Sequence, residues 1–190
     1  ESYISGFSGY ILEILIAHYG SFEKLLNASE KWKDKEVVDP EKHYKNKAMV
    51  MFNLNTSKLQ SPLIIVDPVD QNRNAAAALS LEKFMLFRKV AKAYLKKPSA
   101  KFFMKKEIDL DELKKENGNL VYLKVVPIEG KSDVVGVKLL KAFEFLEREL
   151  KPFKVKKYGW DWDHEKNAVF YYVLDKDKLP DYDLRKGPPL

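Results

Sequence analysis

FKVKKYGWDWDHEKNAVFYYVL, running from Phe153 to Leu174, decides the fold of the second half of the chain. Phe153 to Trp162 alternates like a strand, with Tyr158, Trp160 and Trp162 on one face and Asp161 on the other. Ala168 to Leu174 is a second β-rich run, and Asp163-His164-Glu165-Lys166-Asn167 between them is a polar turn. Upstream, Val135, Leu139, Ala142, Phe143, Leu146 and Leu150 recur at helical spacing and predict a helix from about Asp133. Before that helix, Leu120 to Val126 reads as a strand. Strand–helix–strand–strand is most of a split β-α-β unit, the ferredoxin-like or RRM-like arrangement. Ahead of it, Asp109 and Glu112 form a capping pair for a short helix that Gly118 closes.

The first half reads differently. Phe7 to Tyr19 is an amphipathic helix stopped by Gly20, and Ser21 caps a second helix carrying Phe22, Leu25, Leu26 and Trp32. Lys33 to Tyr44 is charged and reads as a connection. Met49 to Leu54 and Leu63 to Val66 are β-rich, and the polar stretch between them predicts a hairpin. Ser80 caps a long helix through Lys97 whose apolar stripe is Leu81, Phe84, Phe87, Ala91, Tyr94 and Leu95; Pro98 ends it. The predicted class is therefore α+β: a mostly helical domain with a small β insert over residues 1–100, then a β-α-β-β domain over 101–190. A soft boundary falls near Lys97 to Lys106.

Composition narrows the function classes. The chain has 190 residues, enough for one large or two small cores, and no apolar run near the roughly 18 residues of a membrane span. The absence of Cys excludes disulfides, zinc–thiolate sites and a thiol nucleophile, and fits a reducing cytoplasm. Residue 1 is Glu rather than Met, so a fragment or processed chain is expected. The formal charge of +6 has the sign that attracts polyanions, nucleic acid foremost, although solubility alone also accounts for it.

Catalytic constellations are weak. His18, His43 and His164 are scattered and predict no metal site. Asp161 and Asp163 are a D-x-D pair on a predicted strand, but Tyr158, Trp160 and Trp162 fill the other face, so the carboxylates read as solvent-facing, and no Gly-Ser pair precedes them to hold a triphosphate. P-loop, dinucleotide and nucleophile-elbow motifs are absent. Basic residues are better organised. Lys89, Lys92 and Lys96 repeat on one helical face, and Lys97, Lys101, Lys105 and Lys106 continue the run. They form either a solvated face or a phosphate-tracking ridge. Lys151, Lys154, Lys156 and Lys157 cluster beside Tyr158 and Trp160, as an RNA-stacking surface or simply a core face requires. Arg73 stands in a turn-rich loop between Asn72 and Asn74. Its fork suits a phosphate or a base edge, while Asp67 and Asp70 offer a purely structural lock.

Several blocks resemble one family. Gly6-Phe7-Ser8-Gly9-Tyr10, with Glu13, Tyr19, Gly20, Ser21 and Phe22 following, is similar to the GFSGY…YGSF block of archaeal-type (class I) CCA-adding tRNA nucleotidyltransferases. Val66-Asp67-Pro68-Val69-Asp70-Gln71-Asn72-Arg73-Asn74, running on to Ser80, is similar to its VDPVD-x-x-RN block. Pro98-Ser99-Ala100-Lys101-Phe102-Phe103 and Phe143-Glu144-Phe145-Leu146-Glu147-Arg148-Glu149 match two further blocks. The resemblance implies an enzyme of head, neck, body and tail that adds C, C and A to tRNA 3′ ends from CTP and ATP with Mg²⁺. It implies that this chain is the substrate-binding neck (1–100) and ferredoxin-like body (101–190, tail incomplete). The metal carboxylates would lie in the missing head, and the fragment alone would be inactive. By the same resemblance, Arg73 helps read the incoming base together with the tRNA backbone, and Tyr3 stands one residue from a position that contacts triphosphate in some members; Arg73, Asn74 and Tyr3 are the candidate nucleotide-selecting residues. Lys89, Lys92, Lys96, Lys97, Lys101, Lys154 and Lys156 are the candidate RNA contacts. The implied partner is the tRNA acceptor stem and 3′ end, with no DNA or membrane, and the full-length enzyme is open to homodimerisation. The alternatives are a non-catalytic RNA-binding module of RRM-like type and a dimerising structural segment.

Overall fold

The structure, a computed structural model, describes residues 4–104, 107–116 and 118–181. It divides into two compact units, Glu1–Met104 and Lys105–Leu190.

In the first unit, Ser8, Ser21 and Ser80 each accept a backbone N–H three residues on, and so start α1 (Gly9–Tyr19), α2 (Phe22–Lys31) and α4 (Leu81–Lys96). Gly20 closes α1 at φ +86, where a side chain would be strained. The β insert differs from the expected hairpin. Met49 to Leu54 is not a strand: residues Lys47–Asn53 form α3, capped by the Asn46 side chain on the Met49 N–H at 3.0 Å. Val50 and Leu54, four residues apart, are both buried, which is helical rather than alternating spacing. The polar stretch that follows is a 3₁₀ turn, Thr56–Leu59, capped by Asn55.

The partner of β2 (Leu63–Ile65) is instead β1 (Glu36–Val38), within the segment read as a connection. The two strands run parallel, Val37 opposite Ile64, with α3 in the crossover that parallel pairing needs. Alternation along β2 then serves two cores. Leu63 and Ile65 pack with Ile11, Leu15, Leu25, Trp32 and Phe84, while Ile64 and Val66 pack with Val50 and Leu54. Burying each such side chain contributes roughly 1.5–3 kcal/mol. Trp32 stacks on Phe84 and Phe87 and donates its indole N–H to the Tyr19 hydroxyl at 3.1 Å.

The second unit follows the expected order: α5 (Leu110–Lys114, capped by Asp109), β3 (Asn119–Val125), α6 (Ser132–Glu149), β4 (Val155–Trp162) and β5 (Ala168–Leu174). The strand order is β3-β5-β4, with β5 antiparallel to both neighbours, as a split β-α-β unit requires. Phe143 of α6 stacks on Tyr172, whose hydroxyl donates to the Phe143 carbonyl at 2.9 Å. Burial, then the nearby Glu147 charge, pushes that phenol up to about 12. Gly118 does not close α5, which ends at Lys114 with Lys115 as its C-cap; it lies against β5, where a Cβ would sit 2.6 Å from Val173.

Candidate functional site

The loop carrying Arg73 grows directly out of a buried strand. Leu63, Ile64, Ile65 and Val66 are wholly buried, so the chain enters the loop with no freedom at its base. The loop then closes on itself. The Asp67 N–H donates to the Arg73 carbonyl at 3.0 Å, and the Arg73 N–H to the Asp70 carbonyl at 2.9 Å. Asp70 also accepts from the Asn72 N–H at 2.9 Å. Distant side chains pin the outer turn. Tyr44 donates to the Gln71 carbonyl at 2.8 Å, Lys58 to the Asn72 carbonyl at 2.7 Å, and His43 lies 3.2 Å from the Pro68 carbonyl.

Within this frame Asn74 and Arg73 have opposite situations. Asn74 is 3% exposed. Its carbonyl oxygen accepts from the Ile65 and Ala76 N–H groups, both at 2.9 Å, and its amide donates to the Lys58 carbonyl at 2.8 Å. That side chain is spent inside the fold. The Arg73 side chain is 61% exposed and touches Asp67 through one nitrogen, at 3.3 Å from Oδ2. Its remaining N–H groups are available to a phosphate or a base edge.

Asp67 is 2% exposed yet ionised. Burial pushes its carboxyl up, but N–H donors from Val69 and Asp70, the Tyr10 hydroxyl and the Arg73 charge outweigh burial and hold it below the usual range. The Tyr10 phenol is raised in turn, by desolvation and then by donating to Asp67 at 3.0 Å. Tyr10 is the residue that local sequence reading missed. It lies on α1, 57 residues from Asp67, and no local pattern links the two.

The candidate lysines fall in both units. Lys89, Lys92 and Lys96 are exposed on α4, with Lys97 and Lys101 exposed just beyond it. Arg88 on the same helix is structural: it donates to the Ser29 and Glu30 carbonyls at 3.1 Å and anchors the end of α2. In the second unit Lys154 is exposed, while Lys156 pairs with Asp175 at 2.7 Å and Lys157 pairs with Glu116. Tyr158, Trp160 and Trp162 share the sheet face that meets α6, where Phe143 lies 5.9 Å from Tyr158 and 6.3 Å from Trp160. On that face Trp162 is buried, Trp160 is half-buried and Tyr158 is 52% exposed. The opposite face carries Tyr122, Lys124, Tyr171 and Lys157. Tyr3, Lys105 and Lys106 lie outside the described residues. Among the described residues no group of three or more His, Cys, Asp or Glu is placed to hold a metal ion. No helix among them is long and apolar enough to cross a membrane.

The loop thus presents one exposed arginine, on a helical unit whose α4 carries exposed lysines, and such a cationic surface suits an anion or a base edge. Residues 1–104 match the family described as "tRNA nucleotidyltransferase, second domain", and the chain belongs to that family. Proteins it resembles over its whole length include the CCA-adding enzymes of Pyrobaculum neutrophilum and Nanoarchaeum equitans. The first is 35% identical over 193 residues, covering 100% of this chain and 42% of the relative. The second is 33% identical over 189 residues, covering 100% and 46%. The CCA-adding enzyme of Pyrobaculum aerophilum is 36% identical over 97% of this chain and 41% of its own length. The chain thus spans less than half the length of these relatives.

Proposed function

We propose that this chain is the nucleotide-selecting and RNA-holding part of an enzyme that adds C, C and A to tRNA 3′ ends from CTP and ATP, acting in the cytoplasm. The domain division we propose is a neck over residues 1–100 and a body over 101–190. Arg73 carries the reading. It is an exposed guanidinium held on a buried carboxylate, inside the region that matches a tRNA nucleotidyltransferase domain. A fork fixed in this way pairs with the edges of C and A and leaves its donors mispaired against U and G. Each mispaired polar group costs about 1–3 kcal/mol, enough for useful selection. Asn74 serves selection by fixing the loop from within. Lys89, Lys92, Lys96, Lys97 and Lys101 follow acceptor-stem phosphates, which sets register rather than sequence. Lys154 and Lys156 do the same on the second unit. Tyr3 remains our candidate for a triphosphate contact. Mg²⁺ and bond formation belong to parts of the enzyme outside residues 1–190.

The alternative, an RRM-like RNA-binding module that works alone, draws less support, because Trp160 lies half-buried on the sheet face that meets α6. The test is Arg73→Ala in a complete CCA-adding enzyme carrying this chain. CTP and ATP selection should degrade more than tRNA affinity; unchanged incorporation kinetics for all four nucleotides would remove Arg73 from the mechanism.

A further inference from the structure

We propose that Tyr10 and Asp67 are positioning residues for Arg73: the Tyr10 hydroxyl locks the Asp67 carboxylate, and that carboxylate holds the guanidinium in the orientation that reads the incoming base. The inference rests on the role of Arg73 given above and deepens it.

The two oxygens of Asp67 divide the work. Oδ1 accepts from the Val69 N–H at 2.9 Å, the Tyr10 hydroxyl at 3.0 Å and the Asp70 N–H at 3.4 Å. Oδ2 faces Arg73 at 3.3 Å. Rotating the carboxylate to release or re-aim the guanidinium would break the bonds at Oδ1. The oxygen that meets Arg73 is therefore fixed by donors on the other oxygen of the same carboxylate. Two of them are loop backbone and come with the turn. The Tyr10 hydroxyl comes from α1, one residue after the start of that helix, and is the donor in this set that a side-chain substitution removes cleanly.

Stability alone is a poor account of the arrangement. An ion pair with its arginine 61% exposed contributes little to folding, while burying the carboxylate has a cost that its donors must offset. What the arrangement supplies is direction. One edge of the guanidinium is tied down and the rest is presented outward, so the loss of freedom on meeting a base is already met in the free protein.

A double-mutant cycle tests this in a complete CCA-adding enzyme carrying this chain, with kcat and KM measured for CTP, ATP and UTP on CCA-trimmed tRNA. Tyr10→Phe should lower the preference for CTP over UTP about 5- to 10-fold, the size of one ordinary net hydrogen bond, since the Val69 and Asp70 N–H groups still hold Asp67. The loss should fall on kcat, with the KM for tRNA unchanged. Asp67→Asn should do at least as much; should it fail to fold, Tyr10→Phe decides alone. In the Arg73→Ala background Tyr10→Phe should have no further effect, since its influence passes through the arginine. If Arg73→Ala destroys selection and Tyr10→Phe leaves it intact, the positioning role is overturned and the reading of Arg73 stands. If Tyr10→Phe costs the same with Arg73 absent, Tyr10 acts on the fold and the proposal is overturned. If Arg73→Ala itself changes nothing, both fall.

Discussion

Replacing Asn74 with Ala tests whether the Arg73 loop is held from inside. The Asn74 carbonyl oxygen accepts from Ile65 and Ala76, both wholly buried. Alanine leaves those two N–H groups without an acceptor and removes the donor to the Lys58 carbonyl. An unsatisfied buried backbone group costs about 1–3 kcal/mol, so the first unit should lose about 3–5 kcal/mol. With a urea m-value of about 2 kcal/mol per molar for a unit this size, the midpoint should fall by about 1.5–2.5 M. Amide exchange at Ile65 reads the same change locally, free of signal from the second unit. The control is Asn72→Ala on the other side of Arg73. The hydrogen bonds of Asn72 to Asp70 and Lys58 use its backbone, so its side chain should be worth less than about 0.5 kcal/mol. A loss under about 1 kcal/mol for Asn74→Ala, or equal losses for both variants, would refute the claim that Asn74 fixes the loop.

Three further outcomes are expected. Gly118→Ala should destabilise the second unit by about 1–3 kcal/mol in urea unfolding, because its Cβ would meet Val173 at 2.6 Å and the Leu174 carbonyl oxygen at 2.9 Å. Asp67 is held below its usual range, so its contribution to stability is complete above the unfolded value of about 4 and is lost as pH falls through the folded one. The gap in urea midpoint between the parent and Asp67→Asn should therefore narrow from pH 6 to pH 3; a constant gap would contradict an ionised Asp67. Changing Lys89, Lys92 and Lys96 to Gln should weaken acceptor-minihelix binding at low salt and flatten the slope of log K against log salt by roughly 0.7–0.9 for each phosphate no longer neutralised. An unchanged slope would make α4 a solvated face.

Legibility in the sequence followed the range of each interaction. Caps act over three residues, so Ser21, Ser80 and Asp109 marked their helices directly. Ser8 started α1 two residues after the expected Phe7, because the apolar pattern ran through the cap. Phe153 to Leu174 alternated over enough residues to mark two strands and their facing, although β4 begins at Val155 and Phe153 closes a 3₁₀ turn, Lys151–Phe153. Met49 to Leu54 misled because a short run of Met, Val, Phe and Leu suits strand and helix alike; the Asn46 cap and the pairing of Val50 with Leu54 were the signals to weigh. Glu36–Val38 was too short to show a period, and its partner strand lies beyond α3 in sequence. In the site, Arg73 stood out through its loop chemistry, but its hold on Asp67 through Tyr10 joins residues 57 apart, which no local pattern reveals. Asn74 read as a candidate contact because an exposed and a buried turn Asn look alike in sequence.

The division of labour between this chain and the rest of an enzyme is tested most directly by supplying the purified 190 residues with Mg²⁺, radiolabelled CTP and a tRNA lacking its CCA end. The account expects the tRNA to be bound in a salt-sensitive way and recovered unextended. Incorporation of a single cytidine would place bond-making machinery inside this chain and contradict it.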